Sequence, residues 1–317
     1  MRTFLKSDRI FLSWLITDFC NYRCAYCTAA VSAGIEERWN VPALVRALNA
    51  TGRKWCAGIT GGEPFAFPDF VGVCRTLTEH DVTLWIDTNL SIENRVREFV
   101  DTVSPAMVDN MYISLHIEER ERHGGVDAFV RMTDALRKKG FPFQVNYVLD
   151  PRLFRRFTKD VDFFRSKGIA LLAKPYRGIY RMRLYPESYT PAERQIILDS
   201  SPDAFRRTLF YPRGVRCDAG CSLVRMLPDG TITRCVADAT PLGSIHAGIR
   251  LNDRPLPCRV PYCPCFGWDF IEDEDKKELL RKALADRPPL RALARRYAAY
   301  AALVLKKKFS GNYRSVK

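Results

Sequence analysis

A chain of 317 residues with 47% hydrophobic and 27% charged residues can bury a large core, which excludes an intrinsically disordered protein. The net charge of +14 is gathered at one end, where residues 276–317 hold thirteen Lys and Arg against Glu278 and Asp286; the near-neutral body argues against a nucleic-acid partner. Lys6, Asp8 and Arg9 interrupt the apolar residues of MRTFLKSDRIFLSWLITD, so a signal-peptide core is absent, and no apolar run reaches bilayer length. These features predict a cytoplasmic protein, and in a reducing compartment eleven clustered cysteines point to metal or redox-cofactor ligation before disulfides.

Taken in chain order, IFLSWLIT, KWCAGIT, VTLWIDT, MVDNMYISL, FQVNYVL and GIALLAKP read as strands. Between them VPALVRALNAT, FPDFVGVCRTLTEH, IENRVREFVDTV, VDAFVRMTDALRKKG and RRFTKDVDFFRSKG carry helical periodicity. The alternation predicts an α/β fold of six βα units, an open or partial (β/α)6 barrel whose ligands lie at the C-terminal strand ends. PYRGIYRMRLYPESYTP then reads as linking sequence, followed by a short helix at 192–199. SLVRMLPDGTITRCV predicts a β-hairpin turning at Asp229-Gly230, inside a cysteine-rich stretch from Cys217 to Cys265. The basic tail is helical in pattern and broken at Pro288-Pro289. The expected units are 1–205 (barrel), 206–270 (cysteine-rich extension) and 271–317 (basic helical tail).

Cys20, Cys24 and Cys27 fall within eight residues, directly after the first strand. A structural zinc site takes four protein ligands and usually pairs C-x-x-C knuckles, whereas no His stands near this trio. Three thiolates on a cuboidal four-iron cluster would leave one iron open to a cofactor. C-x-x-x-C-x-aromatic-C with Tyr26 at the aromatic position, followed by Gly61-Gly62-Glu63-Pro64 after the second strand, resembles the radical S-adenosylmethionine (SAM) superfamily.

The resemblance, over about residues 9–175, implies a 4Fe-4S cluster whose open iron chelates the methionine amino and carboxylate groups of SAM. It also implies a flavodoxin or ferredoxin as electron donor and hydrogen abstraction by a 5'-deoxyadenosyl radical. Two glycines at a strand end let backbone approach a ligand, and a free carbonyl or the Glu63 carboxylate can accept from an ammonium group. By the same resemblance Asn89 and Ser114 contact the SAM carboxylate and ribose. Asp87, Thr88 and Ser91 end the third strand beside Asn89, Asn146 ends the fifth and Lys174 with Arg177 the sixth, all toward the same pocket, where ordinary caps and turns are the alternative. His116 is a candidate substrate-side acid or base, or a structural histidine.

A second set, Cys217, Cys221, Cys235, Cys258, Cys263 and Cys265, is too small for two fully cysteine-ligated four-iron clusters. It resembles the SPASM or twitch extension of radical SAM enzymes, which implies one auxiliary iron-sulfur cluster, expected to be of the 4Fe-4S type. Its expected ligands are Cys217, Cys235 and either Cys263 or Cys265, then Cys221; a hairpin zinc site is the alternative. Cys56 and Cys74 read as buried core thiols.

In the tail, Leu290, Leu293, Tyr297, Tyr300 or Ala301, and Val304 share a face. That predicts a docked helix with a solvated basic side, or else a peripheral membrane contact. Nineteen residues precede Cys20, which leaves no room for an N-terminal peptide-binding domain. The expected substrate is therefore a small molecule or carbohydrate, with phosphorylated and lipid-linked forms included, undergoing oxidation or epimerisation. A peptide maturase with a separate recognition protein is the runner-up, and a non-catalytic iron-sulfur electron-transfer or binding protein stands as the reading of another class.

Overall fold

The computed structural model describes residues 8–27, 39–205, 211–263, 267–271, 275–276 and 290–309. Six strands form where the apolar runs were read: β1 (Arg9–Thr17), β2 (Lys54–Gly61), β3 (Val82–Thr88), β4 (Val108–Ser114), β5 (Phe143–Leu149) and β6 (Leu171–Pro175). They pair in sequence order and all in parallel. β1 and β6 do not pair with each other, so the sheet is an open, partial barrel. The crossovers carry α1 (Val41–Ala50), α2 (Phe70–Glu79), α3 (Glu93–Thr102), α4 (Ile117–Arg122), α5 (Val126–Lys138) and α6 (Phe154–Ser166).

Strand alternation divides the sheet into two faces. Leu12, Leu84, Ile86, Met111 and Ile113 pack in one core with Leu48, Phe70, Phe99 and Phe129 of the helices. Phe11, Cys56 and Trp85 belong to a second, concave-side cluster with Cys217, Leu223, Cys263 and Phe270. Gly58 makes that face possible, because a Cβ there would stand 1.8 Å from the Phe11 ring. Cys56 and Cys74 are buried, as read.

The hairpin is built from β10 (Leu223–Met226) and β11 (Thr231–Thr233), with Gly230 at φ +79° and the Asp229 carboxylate accepting from Thr231 N–H at 2.9 Å. β10 pairs in parallel with the free edge of β1. β12 (Pro241–Ser244) and β13 (Gly248–Ile249) continue outward, so the extension and the barrel share one ten-stranded sheet. β9 (Arg216–Cys217) pairs separately with β14 (Leu256–Pro257).

The stretch read as linking sequence contains a second hairpin, β7 (Gly178–Tyr180) and β8 (Arg183–Tyr185). Its turn residues Arg181 and Met182 have φ of 45° and 62°. Without a glycine there, the sequence carried no turn signal. α7 (Pro191–Ser200) starts at a capping box between Thr190 and Glu193.

The last helix, α8 (Leu290–Phe309), departs from the amphipathic reading. Leu290, assigned to the apolar stripe, is 83% exposed, whereas Arg296, assigned to a solvated face, is fully buried. Its guanidinium pairs with Glu187 and donates to Tyr211 Oη at 3.0 Å and to the Tyr185 carbonyl at 3.1 Å. Burial of the Arg head thus needs a prearranged carboxylate and carbonyl, which periodicity does not reveal. Among the described residues no helix is long and apolar enough to cross a membrane.

Candidate cofactor and substrate site

The cysteine loop leaves β1 at the C-terminal edge of the sheet and is stitched to the end of β2. Gly62 N–H donates to the Thr17 carbonyl and Glu63 N–H to the Phe19 carbonyl, both at 2.8 Å. A Cβ on Gly62 would lie 2.0 Å from the Phe19 carbonyl oxygen, and one on Gly61 2.5 Å from that of Thr17. The two glycines therefore admit the backbone of the cysteine loop itself.

Glu63 is fully buried. Its carboxylate accepts from Phe65 N–H (3.0 Å), Thr88 Oγ1 (2.6 Å) and Asn89 N–H (2.6 Å). Burial outweighs these donors and pushes its pKa up to about 7. The side chain locks the ends of β2 and β3 together.

Asn89 is 3% exposed, with its amide turned to the loop. Asn89 Nδ2 reaches Asn21 Oδ1 at 3.1 Å and Cys20 Sγ at 3.9 Å, while its Oδ1 accepts from Ser91 N–H at 3.0 Å. Asn21 in turn donates to Ser91 Oγ at 2.8 Å. Asn89 and Ser91 thus hold the cysteine loop to the end of β3.

On its other side the loop rests on α4, a helix absent from the sequence reading. Arg120 is 1% exposed. It donates to the carbonyls of Leu115 (2.6 Å) and Asn89, and its guanidinium carbon lies 4.0 Å from the Phe129 ring centroid and 5.8 Å from that of Tyr22. Burial lowers its pKa to about 10, so it remains a cation at neutral pH. Glu119, 3% exposed, accepts from Arg23 N–H of the loop at 3.2 Å and pairs with Arg122. Neither residue was singled out, because IEERER shows charge without an apolar stripe.

Tyr26 and His116 meet across the mouth of the barrel, with Tyr26 Oη 2.7 Å from His116 Nδ1. His116 sits at φ 48° at the start of α4. Burial holds its pKa down to about 3, a neutral imidazole that orients Tyr26 rather than a proton donor poised near neutrality. Ser114 and Asn146 lie side by side at the ends of β4 and β5, Ser114 half-buried and Asn146 buried. Asn146 Oδ1 accepts from Gln144 Nε2 at 3.3 Å.

The donor set suits an iron-sulfur cluster with an open site. Cys20, Cys24 and Cys27 are half-buried and outside any disulfide, and Tyr22 N–H points at Cys20 Sγ from 3.4 Å. Among the described residues no group of three or more His, Cys, Asp or Glu side chains is arranged to hold a single metal ion.

In the extension, Cys217, Cys235, Cys258 and Cys263 line one pocket with Leu223, Val260 and Ile271. Burial pushes the Cys217 thiol up to about 12, with Cys258 and Cys235 acting in the same direction. Arg234, 4% exposed, ties the pocket wall together through the carbonyls of Ala219 (2.9 Å) and Leu256 (2.8 Å) and through Asp238 (3.0 Å). Cys221, expected as the fourth ligand, is not part of this wall; its charged neighbours are Asp218, Arg234, Asp253 and Arg53. Cys258 stands there instead, carried in by the β9–β14 pairing. Cys265 lies outside the described residues.

The fold and the loop define a class, the barrel that seats a cysteine trio at its C-terminal mouth. Residues 14–163 match the model of the Radical SAM superfamily. An AdoMet-dependent heme synthase from Methanosarcina barkeri (strain Fusaro / DSM 804) is 26% identical over 168 residues, which are 50% of this chain and 47% of that protein. The chain thus matches about half the length of this curated relative. SuiB of Streptococcus suis bound to S-adenosylmethionine superposes with a TM-score of 0.54 at 14% identity, covering 76% of this chain and 64% of SuiB. The enzyme anSMEcpe with bound AdoMet and Cp18Cys peptide gives 0.54 at 14% identity, covering 95% and 98%. These structures share the fold.

Proposed function

We propose that the chain is a radical SAM enzyme in which Cys20, Cys24 and Cys27 hold a four-iron cluster and SAM binds its open iron. The observation that carries this reading is the cysteine loop clamped over Gly61 and Gly62, inside a span that matches the Radical SAM model. When bound, this cofactor pair supplies reductive cleavage of SAM and abstraction of hydrogen from an unactivated carbon. The protein's own part is positional. Asn89 and Glu63 fix the loop from the strand ends, Arg120 and Glu119 fix it from α4, and the Tyr26–His116 pair sets an aromatic wall beside the thiols. Ser114 and Asn146 offer polar groups on the neighbouring strand ends.

Cys217, Cys235, Cys258 and Cys263 are the ligand set for one auxiliary iron-sulfur cluster, supported by their sharing one pocket wall. An electron from a flavodoxin or ferredoxin would enter through these centres. The name of the Methanosarcina relative, a heme synthase, favours a small-molecule substrate. A peptide substrate is the second reading, favoured by the peptide present in the anSMEcpe structure. The test is anaerobic incubation of the reconstituted protein with SAM and dithionite. Formation of 5'-deoxyadenosine, abolished by Cys24→Ala, is expected, and its absence from the wild type would exclude turnover.

A further inference from the structure

Arg234, just past β11, is a buried cation on the wall of the cysteine pocket, which it lines together with Cys217, Cys235, Cys258 and Cys263. Its side chain makes four hydrogen bonds. Nε donates to the Ala219 carbonyl at 2.9 Å and Nη2 to the Leu256 carbonyl at 2.8 Å, while Nη1 donates to the Asp238 carboxylate at 3.0 Å and to the Pro257 carbonyl at 3.3 Å.

Each acceptor leads to a cysteine. Ala219 lies two residues past Cys217, Leu256 is the register partner of Cys217 in the β9–β14 pair, and Pro257 immediately precedes Cys258. Cys235 is the next residue in the chain, and its N–H donates to the Asp238 carbonyl at 3.1 Å. Gly220 makes room for the side chain: it sits at φ +89°, and a Cβ there would lie 3.2 Å from Arg234 Cγ. One planar fork thus joins the segments that carry three of the four cysteines, a span that a lysine ammonium does not reproduce.

The charge of this fork matters as well as its shape. An iron-sulfur centre held by four thiolates is an anion, and an incoming electron adds a further negative charge. In a site drawn away from water, a cation on the wall stabilises that added charge and raises the reduction potential, whereas a carboxylate opposes it. Resting on the auxiliary-cluster reading above, we propose that Arg234 is the positioning residue of the auxiliary cluster. It seats the ligand-bearing segments through its hydrogen bonds and holds the potential up through its charge, with Asp238 as the counterweight.

The test uses the full-length chain with Cys20, Cys24 and Cys27 replaced by alanine, so that only the auxiliary centre reports, reconstituted anaerobically with iron and sulfide. Iron is counted, and reduction is followed by EPR against the measured potential, one electron passing from dithionite to each reduced centre. Arg234→Gln removes the charge and should move the midpoint to lower potential; Asp238→Asn removes the counterweight and should move it to higher potential. Arg234→Lys keeps the charge, so its midpoint should stay closer to the parent's, while its iron should be lost to a chelator faster. Asp229→Asn, on the exposed hairpin turn, should leave both readouts at parent values. General loosening of the fold does not produce opposite shifts at 234 and 238. Unmoved midpoints, shifts of the same sign, or parent-like iron retention by Arg234→Lys overturn the proposal. If Arg234→Gln takes up no iron, Asp238→Asn decides the matter, and an unmoved or lowered midpoint there overturns it. A parent chain that holds zinc or no iron removes the auxiliary-cluster reading and this proposal with it, whereas iron held at an unresponsive potential removes this proposal alone.

Discussion

The carboxylate of Glu63 accepts three hydrogen bonds while sealed from solvent, and its protonation is coupled to folding. Its pKa stands near 7 in the fold against the usual 4.5. Below pH 4.5 the group is protonated folded or unfolded; between about 4.5 and 7 the unfolded chain has released the proton that the fold still holds. The stability it contributes is therefore full below 4.5, falls as pH rises through this window and is gone above about 7. Glu63→Gln should flatten that part of the pH dependence. At pH 8 it should cost about 1–3 kcal/mol, because an amide N–H₂ would face backbone donors. Urea titrations of both proteins at pH 5 and pH 8 check this; parallel pH slopes would contradict it. At the same scale, the glycine pair and the cysteine trio were legible as a motif. That the glycines accommodate the loop's own backbone was not, because a spacing does not say which atoms come close.

At the scale of elements, the parallel strands and most of their crossover helices were readable because each carries its own period of apolar residues. α4 was not. It has six residues, and its buried Arg120 and Glu119 are types that sequence reasoning places in solvent. Yet it bears the loop, since Arg120 ties the segments after β3 and β4 together through the Asn89 and Leu115 carbonyls. Arg120→Met removes both donors and leaves two buried acceptors unmatched, at about 1–3 kcal/mol each. The expected outcome is a lower thermal midpoint and less iron taken up on reconstitution, with Arg120→Lys falling between because one ammonium cannot reach both carbonyls. Wild-type iron uptake by Arg120→Met would show that α4 is a bystander.

Over the whole molecule, one sheet runs from β6 to β13 and brings the extension under the concave face, where Phe11 meets Phe270 at 6.1 Å between ring centroids. The hairpin signal at Asp229-Gly230 was visible in sequence; the parallel pairing of four-residue β10 with β1 was not, since so short a strand carries no register information. The same holds for Cys258, whose place in the pocket follows from the β9–β14 pairing and not from spacing. At the far end, Arg296 is the buried anchor of α8. Arg296→Ala should strip Glu187 of its partner at about 3 kcal/mol and raise the rate of trypsin cleavage within residues 290–309, read on a gel time course. Unchanged cleavage would mean that the helix is held by other contacts. The two cysteine sets are most directly tested by iron and sulfide analysis with EPR, under anaerobic conditions, on the wild type and on the Cys20/Cys24/Cys27 triple-alanine variant. Two four-iron clusters predict about eight irons falling to about four, with the reduced wild-type spectrum shifting on addition of SAM and the variant's unaffected. One zinc per chain at the trio, or an iron content that the triple variant does not change, would contradict the account.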